Sequence, residues 1–215
     1  SHAFMKSLKR WMMKKKTVSF LASGRGSNFR VVAERIIDAT IPARLGMLIS
    51  DRSDAPALGL ARDLGMKALH VAPRDFAGRE AFDREIIRLL DECGTDLVVA
   101  AGYMRILSPL FVEAYRHRII NIHPALLPAF PGIHAQEKAL EYGVKITGCT
   151  AHFIDEGTDT GPIILQSAVP VLDADTADTL ADRILKEEHR IFPEAVKLFC
   201  ENRLKIEDRR VYIKK

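Results

Sequence analysis

The sequence predicts an α/β fold: one mostly parallel, twisted sheet with helices on both faces. Three observations carry this. Between Thr17 and Ala101, short apolar runs alternate with segments whose apolar residues recur at helical spacing. The short runs are apolar almost throughout rather than at every second residue, as strands covered on both faces are. The 215 residues are 47% hydrophobic and 28% charged, enough apolar material for one sizeable core.

The elements follow in order. "TVSFLA" (Thr17–Ala22) is a short apolar run ended by Ser and Gly, a buried strand by length and flanks. From Ser27, "SNFRVVAERIIDA" sets Phe29, Val32, Ile36 and Ile37 near helical spacing, with Ser27 available as N-cap. Strands over Ala43–Ser50 and Lys67–Ala72 flank a helix over Ala55–Gly65. "REAFDREIIRLLDEC" (Arg79–Cys93) carries Phe82, Ile86 and Leu89–Leu90 on one stripe, and Asp96–Ala101 is a fourth strand. "LSPLFVEAYRHR" is a further short helix before a fifth strand, Ile119–His123. Strand–helix alternation of this kind makes the sheet Rossmann-like. Lys145–Ile154 and Pro162–Val171 read as neighbouring strands, and a long helix over Thr179–Glu201, which Pro193 is expected to kink, closes the core.

Net charge is +4, which raises the question of nucleic acid. Six of the 32 basic side chains lie in residues 1–16 with no acidic one, leaving 26 basic against 28 acidic in the rest. The charge therefore sits in a terminal extension, expected to be solvated and mobile, and not in a folded groove. Met5, Met12 and Met13 are candidate native starts, residues before them then being an expression scar. The organisation expected is a basic extension over 1–16 and a single domain over 17–215. No run approaches the ~18 apolar residues that span a bilayer, and the N-terminus lacks the apolar core and cleavage site of a secretory signal. Cys93, Cys149 and Cys200 are odd in number and far apart, fitting reduced thiols of a cytoplasmic protein.

Three segments carry chemistry. "SGRGSN" (Ser23–Asn28) puts Gly-x-Gly after a strand and at a helix start, where a phosphate meets free backbone N–H groups. It is not the dinucleotide fingerprint, whose third glycine position is Phe29, nor a Walker loop; the competing reading is a tight structural turn. "NIHPALLPAFPGIHA" (Asn121–Ala135) ends a strand with Asn121 and His123 on one face and continues into a stiff, proline-rich loop. "HFIDEGTDTGP" (His152–Pro162) crowds Asp155, Glu156 and Asp159 into a loop, without the alternating oxygens of a calcium site. Its bland reading is a solvated acidic turn. Its functional one brings Asp159 beside an imidazole, whose charged form a carboxylate favours. His123, His134 and His152 match no compact zinc pattern, so no metal is implied, and a Ser–His–Asp hydrolase is disfavoured because no G-x-S-x-G elbow exists.

Together "SGRGSN", "GYMRIL" (Gly102–Leu107), "NIHPALLPAFPG" and "HFIDEGTDTGPII" resemble, in that order and spacing, the glycinamide ribonucleotide formyltransferases of purine synthesis. The resemblance runs from Thr17 to about Lys205. Family members often have Ser where Ala125 stands and Thr where Ala135 stands, so those contacts are open.

The resemblance implies formyl transfer from 10-formyltetrahydrofolate, a co-substrate, to the amine of glycinamide ribonucleotide. In that reading Asn121 and His123 donate to the oxyanion of a tetrahedral intermediate, and Asp159 keeps His123 charged and assists proton movement. Gly26, Ser27 and Asn28 hold the phosphate and Glu188 the ribose. Met104, Arg105, Ile106 and Leu107, with Asn121, line the pteridine pocket, with Arg79 near the folate tail. Outside the family pattern, Met104 and Ile106 read as core and Arg79 and Glu188 as surface charges. Small molecules are the expected partners, with neither nucleic acid nor membrane, in a monomer or homodimer. The alternatives are a formyltetrahydrofolate deformylase, which normally carries an N-terminal regulatory domain, methionyl-tRNA formyltransferase, which normally adds a C-terminal nucleic-acid-binding domain, and a non-catalytic nucleotide-binding module.

Overall fold

The computed structural model describes residues 2–12 and 14–215, with the backbone alone for residues 9–12. Helix α1 (His2–Met12) comes first, its residues 2–8 exposed. The sequence reading expected no helix in this solvated extension: the segment contains no Gly or Pro, and Ala3, Met5, Lys6, Leu8, Lys9 and Arg10 favour helix without a core. Then β1 (Lys16–Leu21), α2 (Ser27–Ile37), β2 (Ala43–Ser50), α3 (Pro56–Asp63), β3 (Lys67–His70), α4 (Arg79–Glu92), β4 (Leu97–Ala100), α5 (Pro109–Ala114) and β5 (Ile119–His123) alternate. These five strands pair in parallel, in the order β3-β2-β1-β4-β5.

Beyond β5 the pattern changes. α6 (Ala135–Tyr142) precedes β6 (Ile146–Phe153), which pairs antiparallel with both β5 and β7 (Ile163–Pro170). α7 (Ala177–Cys200) starts in a capping box at Thr176 and carries Pro193 inside without ending there. A hairpin, β8 (Leu204–Glu207) and β9 (Arg210–Ile213), adds the last two strands, with β9 beside β7. Besides α1, α6 and the β8–β9 hairpin escape the sequence reading. α6 buries only the small residues Ala135 and Ala139, so it shows no apolar stripe. The hairpin is built from mixed charged and apolar residues around a left-handed Asp208, and only Leu204, Ile206 and Val211 reach the core.

Alternation along the central strands splits the core in two. Val18, Phe20, Leu97 and Val99 face α2, α3 and α7, while Leu21, Val98 and Ile119 face α4 and α5. Each fully buried large side chain contributes about 1.5–3 kcal/mol, so the central strands are firmly held. The chain leaves β1 for β2 on one side and returns to β4 on the other. Open α/β sheets bind ligands in the crevice beyond the carboxyl ends of strands at such a switch point. Among the described residues, no helix is long and apolar enough to cross a membrane.

Candidate active site

A cleft of about 500 Å³ opens at that crevice. Its walls are Asn28 and Glu188, residues 102–107 after β4, Asn121–Pro124 at the end of β5, Gly132–Gln136, His152, and the loop holding Asp155 and Asp159.

The centre is set by strand pairing. β6 places His152 opposite Asn121 and Thr150 opposite His123. His152 is 1% exposed, and burial holds its imidazole pKa below the ordinary range, so the ring is neutral. Its Nδ1–H donates to the Phe153 carbonyl at 2.8 Å, which leaves Nε2 as an acceptor for the Asn121 Nδ2–H at 3.3 Å. That bond orients the Asn121 amide and commits one of its two N–H groups. Asp159 reaches in from the other side. Its backbone is left-handed at φ 55°, and its Oδ2 accepts from the Gly132 N–H at 2.7 Å while lying 3.4 Å from His123 Nδ1. Its Oδ1 is 3.8 Å from His152 Nε2, so the carboxyl group lies between two imidazoles and nearer to that of His123.

His123 differs from an open donor. Its Nε2–H donates to the Phe130 carbonyl at 2.7 Å, so the ring is bracketed between a carbonyl and a carboxylate. The loop presenting that carbonyl is stapled to the sheet. The Thr150 hydroxyl donates to the Ala125 carbonyl (2.8 Å) and accepts from the Leu127 N–H (3.1 Å), and Gln166 Nε2 donates to the Leu127 carbonyl (2.9 Å). Phe130, Gly132 and His134 all take positive φ, which reverses the chain over the cleft, and the Leu127–Pro128 bond is cis.

At the second strand end, the structure corrects one assignment. Gly26, at φ 81°, is the N-cap of α2, Ser27 is already inside the helix, and no side chain caps it. Glycine is required there: a Cβ would lie 2.8 Å from Ala57 Cβ as well as on a left-handed backbone. The first N–H groups of α2 are thus left for an anion. Gly26 is buried and Ser27 exposed beside the cleft, so of these three residues only Asn28 lines it. Asn28 Nδ2 donates to Glu188 Oε1 at 3.1 Å, joining two residues that the sequence assigned separately, and Asn28 Oδ1 is buried without a partner. Burial raises the Glu188 carboxyl above its usual range.

Met104 and Ile106 are 70% and 63% exposed on the cleft wall, Leu107 is 8% exposed, and the Arg105 guanidinium lies 5.0 Å over the Phe82 ring. Arg79 is not in the cleft. As the first residue of α4 it lines a separate depression of about 340 Å³ with Glu80, Ser108, Pro109 and Leu110, next to Leu107 along the chain. The sequence reading missed His152 and the backbone groups of Phe130 and Gly132. A signal for His152 existed: Thr150-x-His152 repeats the spacing of Asn121-x-His123 on the adjacent strand. Among the described residues no three His, Cys, Asp or Glu side chains are placed to hold a metal ion. Burial pushes the Cys149 and Cys200 thiols up to about 12, leaving both in the unreactive thiol form.

A mostly parallel sheet, with a cleft at its switch point onto which a few polar side chains converge, is the architecture of a small-molecule enzyme. The chain belongs to the formyl transferase family, whose model matches residues 16–196. It is 39% identical over 193 residues to the phosphoribosylglycinamide formyltransferase of Escherichia coli (strain K12), covering 90% of this chain and 91% of that one. It is 45% identical to the "Trifunctional purine biosynthetic protein adenosine-3" of Drosophila melanogaster, over 85% of this chain but only 14% of that much longer protein. Among solved structures, the glycinamide ribonucleotide transformylase 1 of Symbiobacterium toebii superposes with a TM-score of 0.92 at 50% identity, covering 94% and 95% of the two chains. A formyltetrahydrofolate deformylase from Pseudomonas syringae matches at 27% identity and a TM-score of 0.87, over 67% of its length.

Proposed function

We propose that the domain over residues 17–215 transfers the formyl group of 10-formyltetrahydrofolate to the amine of glycinamide ribonucleotide. The observation that carries this reading is the convergence of Asn121, His123 and Asp159 on a cleft whose far side is the uncapped start of α2. The phosphate is received by the N–H groups at Gly26–Asn28, which places the ribose against Glu188. Met104–Leu107 and Asn121 receive the pteridine. The separate depression at Arg79 takes the folate tail where it leaves the cleft.

The amine lone pair attacks the formyl carbon, and the carbonyl electrons move to oxygen. The free N–H of Asn121 and the His123 imidazolium meet that oxyanion. An oxyanion is a stronger acceptor than the Phe130 carbonyl, so it draws the Nε2–H that the loop holds in the empty cleft. Asp159 balances the imidazolium charge. As the tetrahedral intermediate collapses, the bond to N10 breaks and the proton lost by the amine ends on N10, Asp159 assisting its passage.

The same three side chains suit a deformylase with water as acceptor. Incubation with 10-formyltetrahydrofolate, with and without glycinamide ribonucleotide, separates the two. Tetrahydrofolate release that depends on the ribonucleotide is expected; equal release of formate without it would overturn the transferase reading.

A further inference from the structure

We infer that Ser23, Asp51 and Asp83 are positioning residues that clamp the segment 103–108 and so set the binding of the folate; this rests on the reading of that segment as the pteridine wall.

The segment between β4 and α5 has no regular structure, so neither a sheet ladder nor a helix organises its backbone N–H groups. Two of them are held instead by side chains from elsewhere in the fold. The Met104 N–H donates to Ser23 Oγ at 2.9 Å, and the buried Ser108 N–H donates to Asp83 Oδ2 at 2.7 Å. The Ser23 hydroxyl proton is itself committed to Asp51 Oδ1 at 2.6 Å, which turns the oxygen's lone pairs towards Met104. Ser23 also donates its own N–H to the Gly102 carbonyl at 3.1 Å. One end of the segment is thus tied to the ends of β1 and β2, and the other to α4.

Asp83 is the telling member. It is 2% exposed and lies on the stripe of α4 that otherwise buries Phe82, Ile86 and Leu90. A carboxylate there costs free energy that an apolar residue would not, unless its acceptors are used. Between the two anchors the chain alternates. Tyr103 packs inward, with its phenol pushed up by burial and by the negative charges of Asp51 and Asp83. Arg105 stacks over Phe82, and Leu107 is buried. Met104 and Ile106, on the opposite parity, are held out over the cleft. An unclamped loop would fold two such exposed apolar side chains back onto itself.

The test is Ser23→Ala, read by amide hydrogen exchange and by steady-state kinetics. Exchange at Met104 should quicken by about tenfold or more. KM for 10-formyltetrahydrofolate should rise about tenfold, with KM for glycinamide ribonucleotide and kcat within about threefold of wild type. Asp83→Asn, which keeps an acceptor for Ser108, should stay near wild type in folate KM, whereas Asp83→Ala should raise it. Where Ser23→Ala does not fold, Asp51→Ala at its half-buried position removes the acceptor that orients the hydroxyl and should move the same two readouts. Unchanged exchange at Met104 overturns the clamp itself. Faster exchange with an unchanged folate KM also overturns the inference, and shows that the pteridine reading of the wall is what failed.

Discussion

Asp159→Asn tests the catalytic centre with little change of shape. The amide oxygen replaces Oδ2, still accepting from the Gly132 N–H, and the amide NH₂ replaces Oδ1, facing the lone pair of His152 Nε2 at 3.8 Å. What is lost is the charge 3.4 Å from His123 Nδ1. Two full charges at that separation attract by about 5 kcal/mol at an effective dielectric of about 20, before the cost of desolvating them. The two side chains are 6% and 14% exposed, so solvent screens little of it. Only the part that grows as the intermediate forms slows the reaction. A loss of about 3 kcal/mol, or about 10²-fold in kcat, is therefore expected, on the scale of one oxyanion donor or acid–base group. KM for both substrates should change little, because phosphate and pteridine contacts lie elsewhere. The assay is steady-state tetrahydrofolate release for Asp159→Asn, His123→Asn and the double variant. If the two act as one unit, the combined loss falls well short of the product of the single losses. Multiplicative losses, or either single variant with wild-type kcat, would refute the pairing.

Gly26→Ala should cost about 2 kcal/mol, because an L-residue pays about 1–2 kcal/mol in the left-handed region and its Cβ meets Ala57. That corresponds to a fall of about 4–8 °C in Tm, with KM for the ribonucleotide rising more than KM for the folate; an unchanged Tm would refute the reading of this turn. Glu188→Gln should raise KM for the ribonucleotide about tenfold while making the protein more stable at pH 8. The folded carboxyl pKa lies above its unfolded value, so the stability it contributes is full below the unfolded value and lost as pH rises through the folded one. Glutamine has no such loss, and the Tm difference should shrink towards pH 4.5. Parallel Tm curves across that range would show that Glu188 is not held in a desolvated site.

Much of the sheet was written in local pattern. The apolar runs of β1, β2, β4 and β5 and the stripes of α2 and α4 announce themselves because strands buried on both faces and helices buried on one have different periods. Asn121 and His123 were legible for the same reason, since period two puts them on one face wherever the strand sits. The remainder was decided by tertiary structure. That Asp159 faces His123, that His152 orients Asn121, and that Asn28 is tied to Glu188 all join residues between 31 and 160 positions apart. No local spacing encodes such pairs. The same holds for Gly26, whose role as N-cap in place of Ser27 depends on the close approach of α3, and for Arg79, which helix packing turns away from the cleft. Sequence period specifies which face a side chain is on. Which side chains then meet is set by how sheet pairing and helix packing bring distant faces together, and burial follows from that meeting, holding His152 neutral and raising the Glu188 carboxyl.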